Sequence, residues 1–377
     1  MRKGLHPLSV HLGMSAAKAA GMDEYIAHFP SSYSQDKLVD MVRGIKQYQE
    51  HPYTQPRLET EEVWSNGSVK VVKPITAPQG AGDMPPILLV PSLINKSYIL
   101  DLSEKRSLLR FLTQNGVHAY LLDWGDLTNE GGDAQITVND LIEEKLCGAI
   151  RAVSGIHDQP IDVLGYCMGG TLLVPAAQMV QAHIRRIVFL ATPWDFHAQT
   201  ADQEDNLARA VRIWSPIVLP IIREKGVLPS SYVQALFASL SADETIRKFT
   251  RFASMDQDSA EAEFFVSVED WLNDDVDIPG SVAQGCIQGW FLDNTPAKGQ
   301  WVVAARAVKA QDVKAETLLI TSRKDRLVPY ACAMALKDQM THARCDVIET
   351  STGHIGMIVG KRAVSNIWSP ILEWLKS

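Results

Sequence analysis

The stretch that most constrains this chain is residues 161–173, where a short apolar run meets a cysteine flanked by glycines. Ile161, Asp162, Val163 and Leu164 read as a short buried strand. Gly165, Tyr166, Cys167, Met168, Gly169 and Gly170 follow, and then an apolar run suited to a helix. Strand, tight turn and helix put Cys167 at an apex: the G-x-S-x-G nucleophile elbow, with cysteine in the serine position. Such a turn forces the apex residue into strained backbone. It also brings strand and helix so close that a Cβ on a flanking residue would collide. Cys167 would then face the positive end of a helix. The plain alternative is a buried, inert cysteine in a Gly-rich turn, and the partners downstream decide between the two.

The rest of the chain is read around this elbow. Residues 34–50 have the apolar spacing of a weakly amphipathic helix, and residues 1–58 read as a helical, polar extension. Asn66 and Gly67 between two β-rich runs predict a hairpin over 59–74. A Pro/Gly loop at 76–86 precedes Ile87, Leu88, Leu89 and Val90, a run typical of a strand covered on both faces. Residues 102–114 predict a helix stopped by Asn115 and Gly116, and 117–122 the next strand. The acidic loop at 123–126 lacks EF-hand spacing. Residues 137–153 predict a helix capped by Thr137 or Asn139, and Pro175 should bend the elbow helix. Residues 186–191 predict a further strand. This alternation implies a mostly parallel central sheet covered by helices. The rhythm stops at 193–311, which is helical, proline-punctuated and rich in tryptophan, and resumes with a strand at 316–321. The expected organisation is an extension (1–58), a first core part (59–192), a helical cap inserted after the strand following the elbow (193–311), and a second core part (312–377).

Composition excludes several classes. With 46% hydrophobic and 21% charged residues, 377 residues can bury a large core. A net charge of −8 argues against nucleic-acid binding. Five cysteines, an odd number with no C-x-x-C pair, suit a reducing cytoplasm and make a zinc site or a disulfide framework unexpected. The N-terminal segment is broken by His11, Ser15 and Lys18, so it lacks the apolar core of a signal peptide. The longest apolar run, 213–222, contains Pro216 and Pro220 and is too short to span a bilayer. No transmembrane segment, metal or cofactor is expected.

A thiol nucleophile is usually activated by a paired imidazole. Two later positions suit such a pairing. Asp325 lies in the loop after the strand at 316–321, and His354 in a Gly-flanked loop after the last strand. Each alone is weak, because an Asp after a strand is often a turn former. Together they give the chain order nucleophile, acid, histidine that α/β-hydrolases use. That fold takes one oxyanion N–H from the residue after the nucleophile and one from a loop beyond a central strand. Met168 and, from the loop at 93–95, Ile94 are the expected donors, with Leu93 and Asn95 as the alternatives to Ile94.

The same motifs resemble the polyhydroxyalkanoate synthases, especially the short catalytic subunits of the class III enzymes. The markers are residues 90–102 with Asn95 and Lys96 at their centre, the cysteine box at 165–171, and the segments 192–196, 324–329 and 353–356. Ser92 departs from the usual pair of prolines before the asparagine-lysine loop. The resemblance implies an α/β-hydrolase core, a mobile cap, and a triad of Cys167, His354 and Asp325 acting on 3-hydroxyacyl-CoA thioesters. Coenzyme A is then leaving group, not cofactor. It further implies a cytoplasmic protein associated with polyester granules, with a second synthase subunit or a homodimer as partner. Lys96, Arg323, Lys324 and Arg326, beside the two key loops, are the expected basic contacts for coenzyme A phosphates, with Asn95 close to substrate. Two other readings use the same residues: a cysteine-dependent thioesterase or polyester depolymerase, and an inactive granule-associated protein.

Overall fold

The computed structural model describes residue 2 and residues 35–76, 84–129, 136–198, 207–240, 242–274 and 276–377. The expected helical character of residues 3–34 and most of the Pro/Gly loop, 77–83, lie outside them. The chain divides into two compact units: Met1–Pro56 with Pro229–Asp275, and Arg57–Leu228 with Val276–Ser377. Residues 193–311, expected as one insertion, are thus shared between the units.

The larger unit is built on one eight-stranded sheet. Its strands are β1 (Thr60–Asn66), β2 (Val69–Pro74), β3 (Ile87–Val90), β4 (Ala119–Asp123), β5 (Ile161–Tyr166), β6 (Ile184–Leu190), β7 (Glu316–Ser322) and β8 (Cys345–Thr350), in the order β1-β2-β4-β3-β5-β6-β7-β8. β2 alone runs opposite to the other seven strands, so its two pairings are antiparallel and the rest are parallel. β3 and β5 are buried along their whole length, as strands covered by helices on both faces must be. The β1–β2 hairpin turns at Gly67, whose φ of +64° favours glycine. This is the α/β-hydrolase fold expected from the elbow and the strand rhythm.

Local chemistry moved several boundaries. The expected helix at 102–114 begins only at Leu108. Asp101–Ser103 pairs instead with Arg106–Ser107 in a small hairpin. Ser107 holds the junction: its hydroxyl donates to Asp101 Oδ1 at 2.5 Å and accepts from the Arg110 N–H at 2.9 Å. Such a cap outcompetes the weak helical pattern upstream. The next long helix is capped by Thr137, not Asn139, through a reciprocal box with Asp140. It passes through a π-turn, Leu141–Leu146, and ends with Cys147–His157. Pro216 and Pro220 lie inside a single helix, Leu207–Lys225. Among the described residues of 193–311, only two-residue strands occur.

The smaller unit packs helices Gln35–Glu50, Ala242–Ala253 and Ala260–Asn273 around Met41, Ile45, Tyr48, Ile246, Phe249 and Phe252. Gly44 permits the first two to approach, because a Cβ there would fall on the Phe249 carbonyl. Among the described residues no helix is long and apolar enough to cross a membrane.

Candidate active site

Cys167 stands between β5 and the helix Met168–Met179, at φ +54° and ψ −126°. Non-glycine residues avoid this conformation, and holding one there costs about 1–3 kcal/mol. The surroundings over-determine it. The Cys167 N–H donates to the Leu190 carbonyl at 2.9 Å, so the apex is tied to the end of β6. A Cβ at Gly165 would collide with Gly170, and one at Gly169 with the carbonyl oxygens of Val90 and Pro91. The elbow helix is therefore seated directly on the end of β3 and the loop that follows. Pro175 lies inside this helix, which continues to Met179.

β7 and β8 deliver the other two side chains. Asp325, 1% exposed, lies in the loop after β7. Its Oδ1 accepts from the N–H groups of Leu327 and Val328, at 2.9 and 3.0 Å. Its Oδ2 meets His354 Nδ1 at 2.7 Å. The loop carrying His354 is anchored to β7 by Ser322, whose hydroxyl donates to the Thr352 carbonyl at 2.6 Å. With Nδ1 engaged, Nε2 is the ring nitrogen left to serve Cys167, whose charge is felt at His354. Burial works against the imidazolium. The negative charges of Asp325 and Cys167, with the hydrogen bond to Asp325, outweigh it and hold the His354 pKa well above its ordinary value.

The structure thus brings Cys167, His354 and Asp325 together. Met168 opens the elbow helix, so its N–H has no partner within the helix and points out of its N-terminus. Ile94 and Asn95 are half-buried in the loop after β3. The Ile94 N–H makes only a long contact, 3.5 Å, to Ser92 Oγ, and Asn95 Nδ2 is buried with no hydrogen-bond partner. Lys96, Arg323, Lys324 and Arg326 are exposed. Arg323 is engaged by Glu349 at 2.6 Å and lies over the Tyr330 ring, so its charge is largely compensated. The carboxylates of the acidic loop serve local turns: Asp126 accepts from Thr128 and Asn129, and Asp123 from the Gly125 N–H.

Two neighbours of the site escaped the motif reading. The Tyr166 ring lies 5.2 Å from that of His354, tilted by 31°, and backs the imidazole. Its position immediately before the nucleophile was the available signal. Cys332 belongs to a small buried cluster against which Cys167 packs, and no spacing in the sequence pointed to it.

Comparison with known proteins bears on the family of the chain. Residues 87–364 match the profile of the alpha/beta hydrolase family. The chain is 27% identical over 297 residues to the poly(3-hydroxyalkanoate) polymerase subunit PhaC of Haloferax mediterranei, covering 77% of this chain and 58% of that protein. Against the PhaC subunit of Allochromatium vinosum it is 25% identical over 362 residues, covering 92% of this chain and 99% of that one. It spans less than two thirds of the haloarchaeal relative and nearly all of the other. Among solved structures, a monoacylglycerol lipase from Paleococcus ferrophilus aligns with a TM-score of 0.48 and 15% identity, over 82% of this chain and 98% of that one. Because the profile spans well over half of the sequence, the protein belongs to the alpha/beta hydrolase family, as a distant relative of several PhaC polymerase subunits.

Proposed function

We propose that the protein is a polyhydroxyalkanoate synthase of the class III kind, an acyltransferase that polymerises 3-hydroxyacyl-CoA thioesters through Cys167, His354 and Asp325. The observation that carries this reading is a cysteine, not a serine, at the strained elbow, with a histidine that is held by a buried aspartate and whose pKa responds to the Cys167 charge. Relationship to PhaC subunits supplies the substrate class.

His354 Nε2 takes the Cys167 proton as Sγ attacks the thioester carbonyl. The oxyanion lies between the N–H groups of Met168 and Ile94, each donor worth about 3 kcal/mol. The carbon–sulfur bond to coenzyme A breaks, and His354 returns the proton to the leaving thiolate. One thioester replaces another, so the step is nearly thermoneutral. The acceptor hydroxyl then gives its proton to His354 and attacks the acyl-enzyme. An oxygen ester forms and the Cys167 thiol is restored. Asp325 keeps the imidazole in one tautomer throughout. Lys96, Lys324 and Arg326 supply the basic surface for coenzyme A phosphates, with Asn95 beside the acyl group. A second synthase subunit or another copy of the chain, and a cytoplasmic polyester granule, belong to the same reading.

Partitioning of the acyl-enzyme decides between a polymerase and a hydrolase. A positioned hydroxyl reaches an effective molarity on the order of 10⁵ M, far above that of water. Incubation with 3-hydroxybutyryl-CoA, with thiol release and acyl products both followed, should give ester-linked oligomer. Stoichiometric free 3-hydroxybutyrate without oligomer would make the protein a thioesterase. Absence of any thiol release would favour an inactive relative.

A further inference from the structure

One more sulfur lies beside the elbow, and acyl transfer makes no use of it. Val328, Cys332 and Ala333 form a buried cluster just beyond the Asp325 loop, and Cys167 packs against it. Cys332 sits in the first turn of the helix Tyr330–Gln339 and is 4% exposed. Its carbonyl accepts the N–H groups of Trp194 and Asp195, at 3.3 and 3.2 Å, which ties this turn to the segment after β6. The elbow is tied to the same strand, through Leu190. Backbone hydrogen bonds thereby fix both the Cys167 elbow and the Cys332 turn to the end of β6 and the segment after it, with Cys167 packed against the apolar cluster that contains Cys332.

We propose that Cys167 and Cys332 form a redox pair, in which a hydroperoxide oxidises Cys167 and Cys332 closes the product to a disulfide. Cys167, as thiolate, attacks one peroxide oxygen. A sulfur–oxygen bond forms, the oxygen–oxygen bond breaks, and the departing oxygen leaves as water or alcohol once protonated. The resulting sulfenic acid condenses with the Cys332 thiol. A sulfur–sulfur bond forms, and the sulfenic oxygen leaves as water carrying the Cys332 proton. In sum, two thiols lose two electrons and two protons to one hydroperoxide.

The order of events follows from burial. Cys167 is half-buried, the more exposed residue of the two. Burial pushes the Cys332 thiol up to about 12, so it stays protonated and inert to peroxide until an electrophilic sulfur forms against it. The bridge occupies the sulfur that the proposed reaction needs, so it switches activity off. It also spares that sulfur from sulfinic acid, which cellular thiols do not reduce. Cys147, Cys286 and Cys345 are outside this cluster.

The test treats the full chain with hydrogen peroxide and maps its peptides by mass spectrometry without reduction. The expected product joins the Cys167 and Cys332 peptides with loss of two hydrogens, and a dithiol reverses it. In Cys332→Ala, sulfinic acid at Cys167 should accumulate about tenfold faster than in the wild type. Sulfinic acid forming at the same rate in both proteins, or a bridge from Cys167 to another cysteine, would overturn the pairing. The wild-type map needs no substitution, so a folding defect in the variant leaves the test intact. Its readout is sulfur mass, which is independent of whether acyl transfer occurs.

Discussion

Asp325 holds His354 with one carboxylate oxygen and is itself held by the other. Oδ2 lies 2.7 Å from His354 Nδ1, while Oδ1 is fixed by the backbone N–H groups of Leu327 and Val328. The carboxylate is therefore a rigid orienter, with no freedom to swing toward substrate. This relationship sets different expectations for the two residues. Asp325→Asn keeps a near-isosteric group in a buried, backbone-held site but presents the wrong partner to Nδ1. Steady-state turnover should fall about 10²-fold or more. Single-turnover release of coenzyme A should survive in part, because a Cys-His pair ionises more easily than an alcohol. His354→Gln should abolish both. Equal loss of the first turnover in the two variants would sink this division of labour.

The strained apex gives a stability prediction. Cys167 has a positive φ with an extended, negative ψ, a region that glycine occupies freely. Cys167→Gly and Cys167→Ala should both be inactive, but the glycine variant should be the more stable by about 1 kcal/mol. Urea denaturation of the two variants compares them directly. A less stable glycine variant would mean that the elbow carries no usable strain.

Much of this arrangement was legible in the sequence because it is local. Gly165 and Gly169 are needed wherever strand and helix approach this closely, and Asn66 with Gly67 marks the hairpin. The meeting of Asp325 and His354 was readable only as chain order, which parallel strands convert into neighbours at one end of the sheet. What stayed hidden depends on contacts remote in sequence. The helix expected from residue 102 lost its first turn to Ser107, whose hydroxyl bonds only when Asp101 folds back. Trp194 and Asp195 meet the Cys332 turn only because β6 and β7 lie side by side in the sheet, so no spacing announces that cysteine. The sharing of 193–311 between two units follows from residues 229–275 finding apolar partners, Met41, Ile45 and Tyr48, near the start of the chain.

Thiol reagents should discriminate among the five cysteines. Burial pushes the Cys147 thiol up to about 11 and the Cys332 thiol to about 12, and that of Cys286 higher still. Cys345, half-buried, is raised to about 11 by the same cause. Limited iodoacetamide should therefore label Cys167 first at pH 7, and His354→Gln should slow that labelling about tenfold or more. Peptide mapping after short exposures gives the answer. Preferential labelling of Cys345, or no effect of the histidine variant, would argue against a functional Cys-His pair.

The final prediction concerns the opposite end of β5, where Asp162 is paired with Arg185. The Arg185 guanidinium contacts both carboxylate oxygens, Nε to Oδ1 at 2.8 Å and Nη2 to Oδ2 at 2.5 Å, and Asp162 is 1% exposed. Burial raises the Asp162 pKa to about 6, and Arg185 limits the rise. A carboxyl group raised above its unfolded value of about 4 binds more protons in the folded state over that interval. Its contribution is then fully present below about pH 4 and is lost as pH climbs through the folded value. Removing Arg185 pushes that value higher and enlarges the loss. Arg185→Met should therefore be less stable than wild type by about 1–3 kcal/mol at pH 8, with the gap narrowing toward pH 4.5. Asp162→Asn in the same background should flatten the pH dependence, because the titrating group is gone. Urea midpoints at the two pH values measure both effects. A gap that stays constant with pH, or widens on acidification, would show that Arg185 acts through packing and not through the charge of Asp162.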